Sequence, residues 1–420
     1  MTMRNAWCFL ICSLSLLLAQ ALQAQSPPAT QTLTPLEPGV PASKFYGQAM
    51  SSNGSYLAIS APNVLSSLTP GTVLLYRRVS GLWTFVQHLQ APVPANGDGY
   101  GTAVQFAGQQ LLIGAPYATV SGASARGALY VYTLVANVYT LNDTVQPGVA
   151  LGAGSAFGFH VHADGGWLAV GAPLSGAGRV QIFYYDSDIE RWIYHSQFLG
   201  AQTSVRHGIR VLVNGDRLLA SATEEVLTGA TRGYVYEYQR TGTGATATWA
   251  QVQRFRPTSA TNVSVFGSAL ALSPTGDSLL VGAPFEAPAG NQDGAVFEFT
   301  RGVGGAWTEA ARINPPSATA LNFGGSIAYS NVAEVLIGDI RESDVGAAYR
   351  YRKQPSGSWT RQSTFARGSG GVSEDFMGSA VLAIGDEAII SASGINGTNG
   401  DEGRTFVFAG ALPLFRDGLE

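Results

Sequence analysis

Cysteine is nearly absent from this chain of 420 residues: Cys8 and Cys12 are the only two. Both lie in an apolar run from Ala6 to Leu18, which follows Arg4 and precedes the small residues of Ala19-Gln20-Ala21. This order is typical of a secretory signal peptide. We therefore expect residues 1–24 to be removed on export to the periplasm, the cell surface or the medium. The mature chain would contain no cysteine, which excludes disulfides and thiolate metal ligands in it.

Charge is also scarce, with 24 basic and 28 acidic residues and only 12% of the chain charged. No basic face is visible, so the sequence does not predict a nucleic-acid partner. No later apolar run reaches the length of a transmembrane helix, and we expect a soluble monomer. The nucleophile elbow, the His-Glu-x-x-His motif and the phosphate loop are missing as well.

What the sequence does contain is glycine, 52 residues in all, and much of it falls in a repeat. An aromatic or similar residue followed by glycine recurs seven times, in units that begin near residues 45, 99, 156, 206, 265, 322 and 376. Each unit then contains a segment like LLIGAP, a glycine followed by a segment like ALYVY, and a segment usually marked by tryptophan. Such short β-branched and aromatic runs, bounded by turn residues, predict four strands per unit.

Seven units of about 55 residues, each with four antiparallel strands, predict an all-β protein with a seven-bladed β-propeller over residues 25–409. Residues 410–420 fall outside the repeat and form a tail. The seventh unit lacks its own fourth strand, and residues 31–36 resemble the fourth strand of the first unit. We therefore expect the N-terminal strand to pair with the last blade and close the ring, which removes two open edges.

These motifs, Phe-Gly, then Gly-Ala-Pro, then Gly-x-Val-Tyr-Val-Tyr, resemble the FG-GAP repeat of integrin α-subunit propellers and their bacterial relatives. The resemblance implies a propeller that binds partners, often through loops on one face. Several integrin repeats carry Asp-x-Asp-x-Asp-Gly calcium loops between the first two strands. Those loops are missing here, and lone aspartates such as Asp164 and Asp277 suit turns instead. We expect no metal, no calcium and no other cofactor.

One stretch departs from the repeat. Two residues after the first-strand glycine the units carry Ala, Ala, His160, Arg210, Ala, Ser and Ala in order, so a large basic residue occurs only in units three and four. Further outliers lie nearby in the two units. Together they predict a ligand-binding cluster between blades three and four, formed by His160, His162, Arg206, His207, Arg210, Glu224 and Glu225. The competing interpretation is repeat drift, in which solvated polar side chains are tolerated at a channel mouth.

We interpret the protein as a secreted, non-catalytic binding protein that contacts an extracellular protein or polysaccharide. The contact surface would be the loops between strands two and three and between blades, which are rich in Gly, Ser, Thr and Asn. They include residues 91–99, 117–126, 224–232, 285–293 and 394–402. The alternative is a hydrolase or lyase that acts on an extracellular polymer, with His160, His207 and Arg210 as catalytic candidates.

Overall fold

The chain forms seven four-stranded antiparallel sheets in a computed structural model. It describes residues 27–37, 45–63, 69–202, 205–227, 230–231, 233–258, 265–287, 293–316, 320–367, 370–396 and 402–412. The predicted signal peptide (1–24) and residues 413–420 of the predicted tail lie outside the described residues. So do parts of the candidate loops 224–232, 285–293 and 394–402.

The strands follow the repeat. The N-terminal strand is β1 (Gln31–Leu33). Blade 1 contains β2 (Met50–Ser52), β3 (Tyr56–Ala61), β4 (Thr72–Val79) and β5 (Leu82–Leu89). Blade 2 contains β6 (Ala103–Ala107), β7 (Gln110–Ala115), β8 (Ala128–Val135) and β9 (Val138–Val145). Blade 3 contains β10 (Val161–Asp164), β11 (Trp167–Ala172), β12 (Arg179–Asp186) and β13 (Arg191–Leu199).

Blade 4 carries an added two-stranded hairpin. It contains β14 (His207–Asn214), β15 (Arg217–Ala222), the hairpin strands β16 (Val226–Leu227) and β17 (Ala230–Thr231), then β18 (Tyr234–Thr241) and β19 (Thr248–Phe255). Blade 5 contains β20 (Ala269–Leu272), β21 (Ser278–Ala283), β22 (Ala295–Arg301) and β23 (Trp307–Ile313). Blade 6 contains β24 (Phe323–Asn331), β25 (Glu334–Asp339), β26 (Ala347–Lys353) and β27 (Trp359–Phe365). Blade 7 contains β28 (Met377–Ile384), β29 (Glu387–Ala392) and β30 (Arg404–Phe408).

The first strands of neighbouring blades contact one another around a full ring, from β2 through β6, β10, β14, β20, β24 and β28 back to β2. Hydrophobic core clusters lie at the junctions between adjacent blades, so each blade buries its faces against two neighbours. The predicted seven-bladed propeller is confirmed.

The ring closes through the N-terminal strand, as expected. β1 pairs antiparallel with β30, and Thr32 lies opposite Phe406. The strand is shorter than expected, covering residues 31–33 rather than 31–36. Gln31 adds a clamp to the next blade: its side-chain amide donates to Trp83 O (2.6 Å) and accepts from Trp83 N (3.0 Å).

The repeated glycine before each third strand has a steric cause. A Cβ at Gly127 would lie 2.0 Å from the carbonyl oxygen of Phe157, in the first-strand segment of the next blade. The same clash, within 2.3 Å, would arise between Gly403 and the backbone of Tyr46 at the point where the ring closes. Any side chain there would push adjacent blades apart, so the motif is a condition for packing one blade on the next.

The 3₁₀ helices in the described part of the chain are short, Gly244–Thr246 and Glu342–Asp344. No helix in the described residues has the length and hydrophobicity needed to span a membrane. In every blade the loops between strands two and three, and those leading to the next blade, leave from the end where the first strand begins. We call this end the loop face and the opposite end the hairpin face.

Candidate functional site

The central channel has a cavity of about 320 Å³ on the side of the loop face. Each blade contributes to its wall the residue that lies two positions after the first-strand glycine: Ala49, Ala103, His160, Arg210, Ala269, Ser326 and Ala380. Strand alternation predicted that this series borders either the channel or a neighbouring blade. The structure places all seven members in the channel wall.

His160 and Arg210 are therefore neighbours in one cavity. Nδ1 of His160 accepts a hydrogen bond from Val211 N of blade 4 (3.3 Å), which assigns the proton of the neutral ring to Nε2. Burial, together with the positive charge of Arg210, holds the pKa of His160 well below its usual range. At neutral pH the ring is uncharged and can donate one hydrogen bond.

Arg210 has an unusual environment. Its guanidinium Nη1 donates to Ile209 O (2.9 Å), and within the described residues no carboxylate forms an ion pair with it. Burial lowers the pKa of Arg210 to about 10, so the side chain stays charged at neutral pH. A half-buried cation without a counter-ion is costly, and an anion in the cavity would relieve that cost.

His162 serves the junction between blades rather than the channel. Its Nδ1 accepts from Val213 N (3.2 Å), and Asp164 accepts from Gly215 N (2.8 Å), so side chains of β10 bind the backbone of β14 and of the turn that follows it. The same repeat position does this elsewhere: Ser51 accepts from Phe106 N, and Gln105 bonds both N and O of Ala163. Burial lowers the pKa of His162 to about 4.

His207 is fully buried and replaces a tyrosine in a recurring pair. Its Nε2 lies 3.0 Å from the hydroxyl of Tyr238, just as Tyr46 bonds Tyr76 (2.7 Å) and Tyr100 bonds Tyr132 (2.8 Å). Burial lowers the pKa of His207 to about 3. Blades 3 and 5 carry apolar pairs instead, Phe157 with Phe183 and Phe266 with Phe299. Blade 6 combines the two kinds, with Phe323 against Tyr351.

The remaining members of the predicted cluster divide between the surface and a buried network. Arg206 and Glu224 form an ion pair of 2.7 Å on the loop face, with both side chains partly exposed. Glu225 is buried, where it accepts from the hydroxyl of Tyr236 and pairs with Arg254 (2.7 Å). Of the seven predicted residues, the structure brings only His160 and Arg210 together in a cavity.

Residues that the sequence analysis did not single out also line the channel cavity. Gln48, Thr102 and Ser379 each follow the first-strand glycine directly, and all three lie in its wall. The sequence feature that could have identified them is their shared position in the repeat. Among the described residues, no three His, Cys, Asp or Glu side chains are grouped closely enough to hold a metal ion.

Comparisons with known proteins give a family match for part of the chain. The FG-GAP repeat model matches residues 83–132. This stretch runs from the fourth strand of blade 1 into the third strand of blade 2, and it supports the repeat recognised in the sequence. A comparison with curated proteins finds no match.

Solved structures show the same fold at low identity. The β-propeller domain of Cps50 (Swd1) from Myceliophteria thermophila is 13% identical, with a TM-score of 0.53, over 90% of this chain and 99% of that one. A periplasmic gluconolactonase from Pseudomonas aeruginosa is 17% identical, with a TM-score of 0.52, over 76% and 85% of the two chains. A putative 6-phosphogluconolactonase from Bacteroides uniformis is 14% identical, with a TM-score of 0.54, over 76% and 85%. These likenesses concern the fold alone.

Proposed function

We propose that this is a secreted, non-catalytic binding protein whose loop face binds an extracellular polysaccharide that carries carboxylate groups. The observation that carries the proposal is Arg210, a charged guanidinium in the channel cavity without an acidic partner in the described part of the chain. A carboxylate would supply the missing counter-charge and accept the hydrogen bonds that guanidinium groups offer.

The neighbouring groups suit the same ligand. His160 offers an Nε2–H donor, and Gln48 and Thr102 add neutral polar groups to the cavity wall. The described wall contains no aspartate or glutamate that would repel an acidic sugar. A cavity of about 320 Å³ lies at the small end of ligand sites, which suits one sugar unit rather than a long segment.

The geometry favours binding over hydrolysis. Nδ1 of His160 already accepts a backbone hydrogen bond, and the low pKa makes this histidine a poor general base near neutral pH. The described cavity wall offers no carboxylate that could act as its partner in acid–base catalysis. Because gluconolactonases have a similar fold, hydrolase activity is the alternative function that the experiment must test.

The experiment uses the purified mature chain with immobilised polygalacturonate, hyaluronan and neutral dextran, and records both retention and product release. We expect retention on an acidic polysaccharide without product release, and loss of retention in Arg210→Ala. Arg206→Ala, on the same face but paired with Glu224, is the matched control and should be retained. Retention on the acidic polysaccharides that Arg210→Ala leaves unchanged would contradict the assignment of the channel cavity as the carboxylate site. Product release that disappears in His160→Ala would establish the hydrolase instead.

A further inference from the structure

A second and larger cavity lies on the hairpin face between blades 2 and 3, with a volume of about 590 Å³. Its wall consists of the hairpins between strands one and two and between strands three and four of the two blades. The side chains that give it chemical character are Gln109, Gln110, Asn142, Asp164, Tyr185 and Trp192. None of these residues belongs to the channel cavity.

The same place at the junction of blades 4 and 5 is closed, with a cavity of only about 10 Å³. Strand pairing identifies the equivalent residues. Leu272 of blade 5 lies opposite Leu279, and Ala163 of blade 3 lies opposite Leu168, at the same step of the first hairpin. Arg217 likewise corresponds to Gln110. Shorter side chains at these two positions therefore leave a space between blades 2 and 3 that is filled between blades 4 and 5.

The tryptophan at the junction of blades 2 and 3 is more exposed to solvent than its counterpart between blades 4 and 5. Trp307 is 3% exposed in the closed junction, whereas Trp192 is half-buried in the wall of the large cavity. Trp192 keeps its structural hydrogen bond, from Nε1 to the side-chain oxygen of Gln110 (2.9 Å). Its orientation is thus fixed while one part of its ring remains open, which is the preorganisation that a stacking ligand needs.

We propose that this cavity binds a neutral saccharide. The rings of Trp192 and Tyr185 lie 5.2 Å apart at 59° and offer apolar surface to the C–H face of a sugar ring. The amides of Gln109 and Asn142 can donate to hydroxyl oxygens, and the carboxylates of Asp164 and Glu190 can accept from hydroxyl protons.

The charge of the wall argues against an anion. It includes the two carboxylates and, in its described part, no arginine or lysine. Arg191 is close in sequence, but its guanidinium binds Asp143 (2.8 Å) instead. An acidic sugar would meet repulsion here, so this site and the channel cavity differ in the charge of the ligand that each would take. The volume falls within the usual range for small-molecule sites.

The test is calorimetric titration of the mature protein with glucose, galactose, N-acetylglucosamine, cellotetraose and chitotetraose. We expect binding of at least one of these sugars, weakened about tenfold or more in Ala163→Leu, which inserts the side chain that blade 5 carries at this position. Tyr185→Ala should weaken binding to a similar extent without altering the inner strands. Arg210→Ala, in the other cavity, should bind as the unchanged protein does.

Three results would overturn the proposal. The first is the absence of binding heat with every sugar at millimolar concentration. The second is binding that Ala163→Leu and Tyr185→Ala both leave unchanged, which would place the sugar elsewhere. The third, checked by adding glucosamine to the same titrations, is tighter binding of this cationic sugar than of the neutral ones, which would mean that Asp164 and Glu190 define a cation site.

Discussion

The junctions between blades 1 and 2 and between blades 3 and 4 differ at one position of the outer strand. Gln87 lies opposite Leu75 there, whereas the equivalent residue of blade 3 is Ser196. Gln87 clamps the next blade by donating to Tyr139 O (2.9 Å) and accepting from Tyr139 N (3.0 Å). The next residue of blade 3, Gln197, does not take over this role, because its side chain accepts from Arg179 of its own blade (3.1 Å). At this junction the outer contact is made by His195, whose Nε2 lies 2.9 Å from Ala247 O.

The comparison teaches that an unusual residue in a repeat can perform a common task. His162 replaces a serine or glutamine that binds the next strand, and His207 replaces a tyrosine that binds another tyrosine. Both residues were candidate site residues because histidine is common in catalytic sites, yet here each one makes a structural hydrogen bond. Arg210 is different, because the equivalent residues are small in every other blade except for His160, and the described wall of the channel cavity contains no other charged side chain.

The largest expected effect is at the junction that closes the ring. Deleting residues 26–40 removes the pairing of β1 with β30, the burial of Leu33 and the Gln31 clamp on Trp83. We expect a loss on the order of 5 kcal/mol of unfolding free energy, seen as a sharp drop in melting temperature. Gln31→Ala should account for only a part of that loss. An unchanged melt after the deletion would contradict closure by this strand.

The next prediction compares the loss of unfolding free energy when Gln87 or Gln197 is replaced by alanine. Gln87→Ala leaves both backbone groups of Tyr139 without their protein partner, and we expect a loss of about 2 kcal/mol in urea titration. Gln197→Ala, in the outer strand of blade 3, is the control and should lose clearly less, because it removes one hydrogen bond within a single blade. Equal losses would mean that the clamp between blades contributes nothing beyond local hydrogen bonding.

Acid should destabilise blade 4 through His207. The folded pKa of about 3 lies below the ordinary value of 6.5, so below pH 6.5 the unfolded chain binds the proton first and stability falls. One such histidine contributes about 2 kcal/mol to the loss between pH 7 and pH 5. His207→Tyr recreates the pair of blades 1 and 2 and should reduce the pH dependence by that amount. Tyr238→Phe should leave the pH dependence in place, and the opposite pattern would exclude His207 as its source.

Most of the fold could be predicted because the repeat displays each constraint seven times. The glycine before each third strand marks a backbone contact between blades, and its spacing alone defines the units. The role of His207 was only partly visible in the sequence. The units with Tyr46, Tyr100 and His207 carry tyrosine on the third strand, and Phe157 and Phe266 occur with phenylalanine, but Phe323 occurs with Tyr351.

The candidate site could be predicted only in part. Strand alternation predicts which residues share a face, and it grouped His160 with Arg210, which both line the channel cavity. It cannot predict how the strands of one blade register against the next, and that register separates His162 from His160. The cavity between blades 2 and 3 exists because Ala163 and Gln110 are smaller than the residues at the equivalent positions of blades 5 and 4. A search for unusual polar residues does not detect such differences in size.

The smallest expected change in stability is a gain rather than a loss. Arg210→Ala installs the residue found at this position in four other blades and removes a half-buried charge without a counter-ion. We expect the variant to be more stable, by roughly 1 kcal/mol, in a buffer without binding anions. Adding the acidic polysaccharide that binds should stabilise the unchanged protein and reverse the order. Arg206→Ala, which breaks a partly exposed ion pair, should be neutral or slightly less stable. A clear loss of stability in Arg210→Ala would show that the arginine supports the ring rather than a ligand.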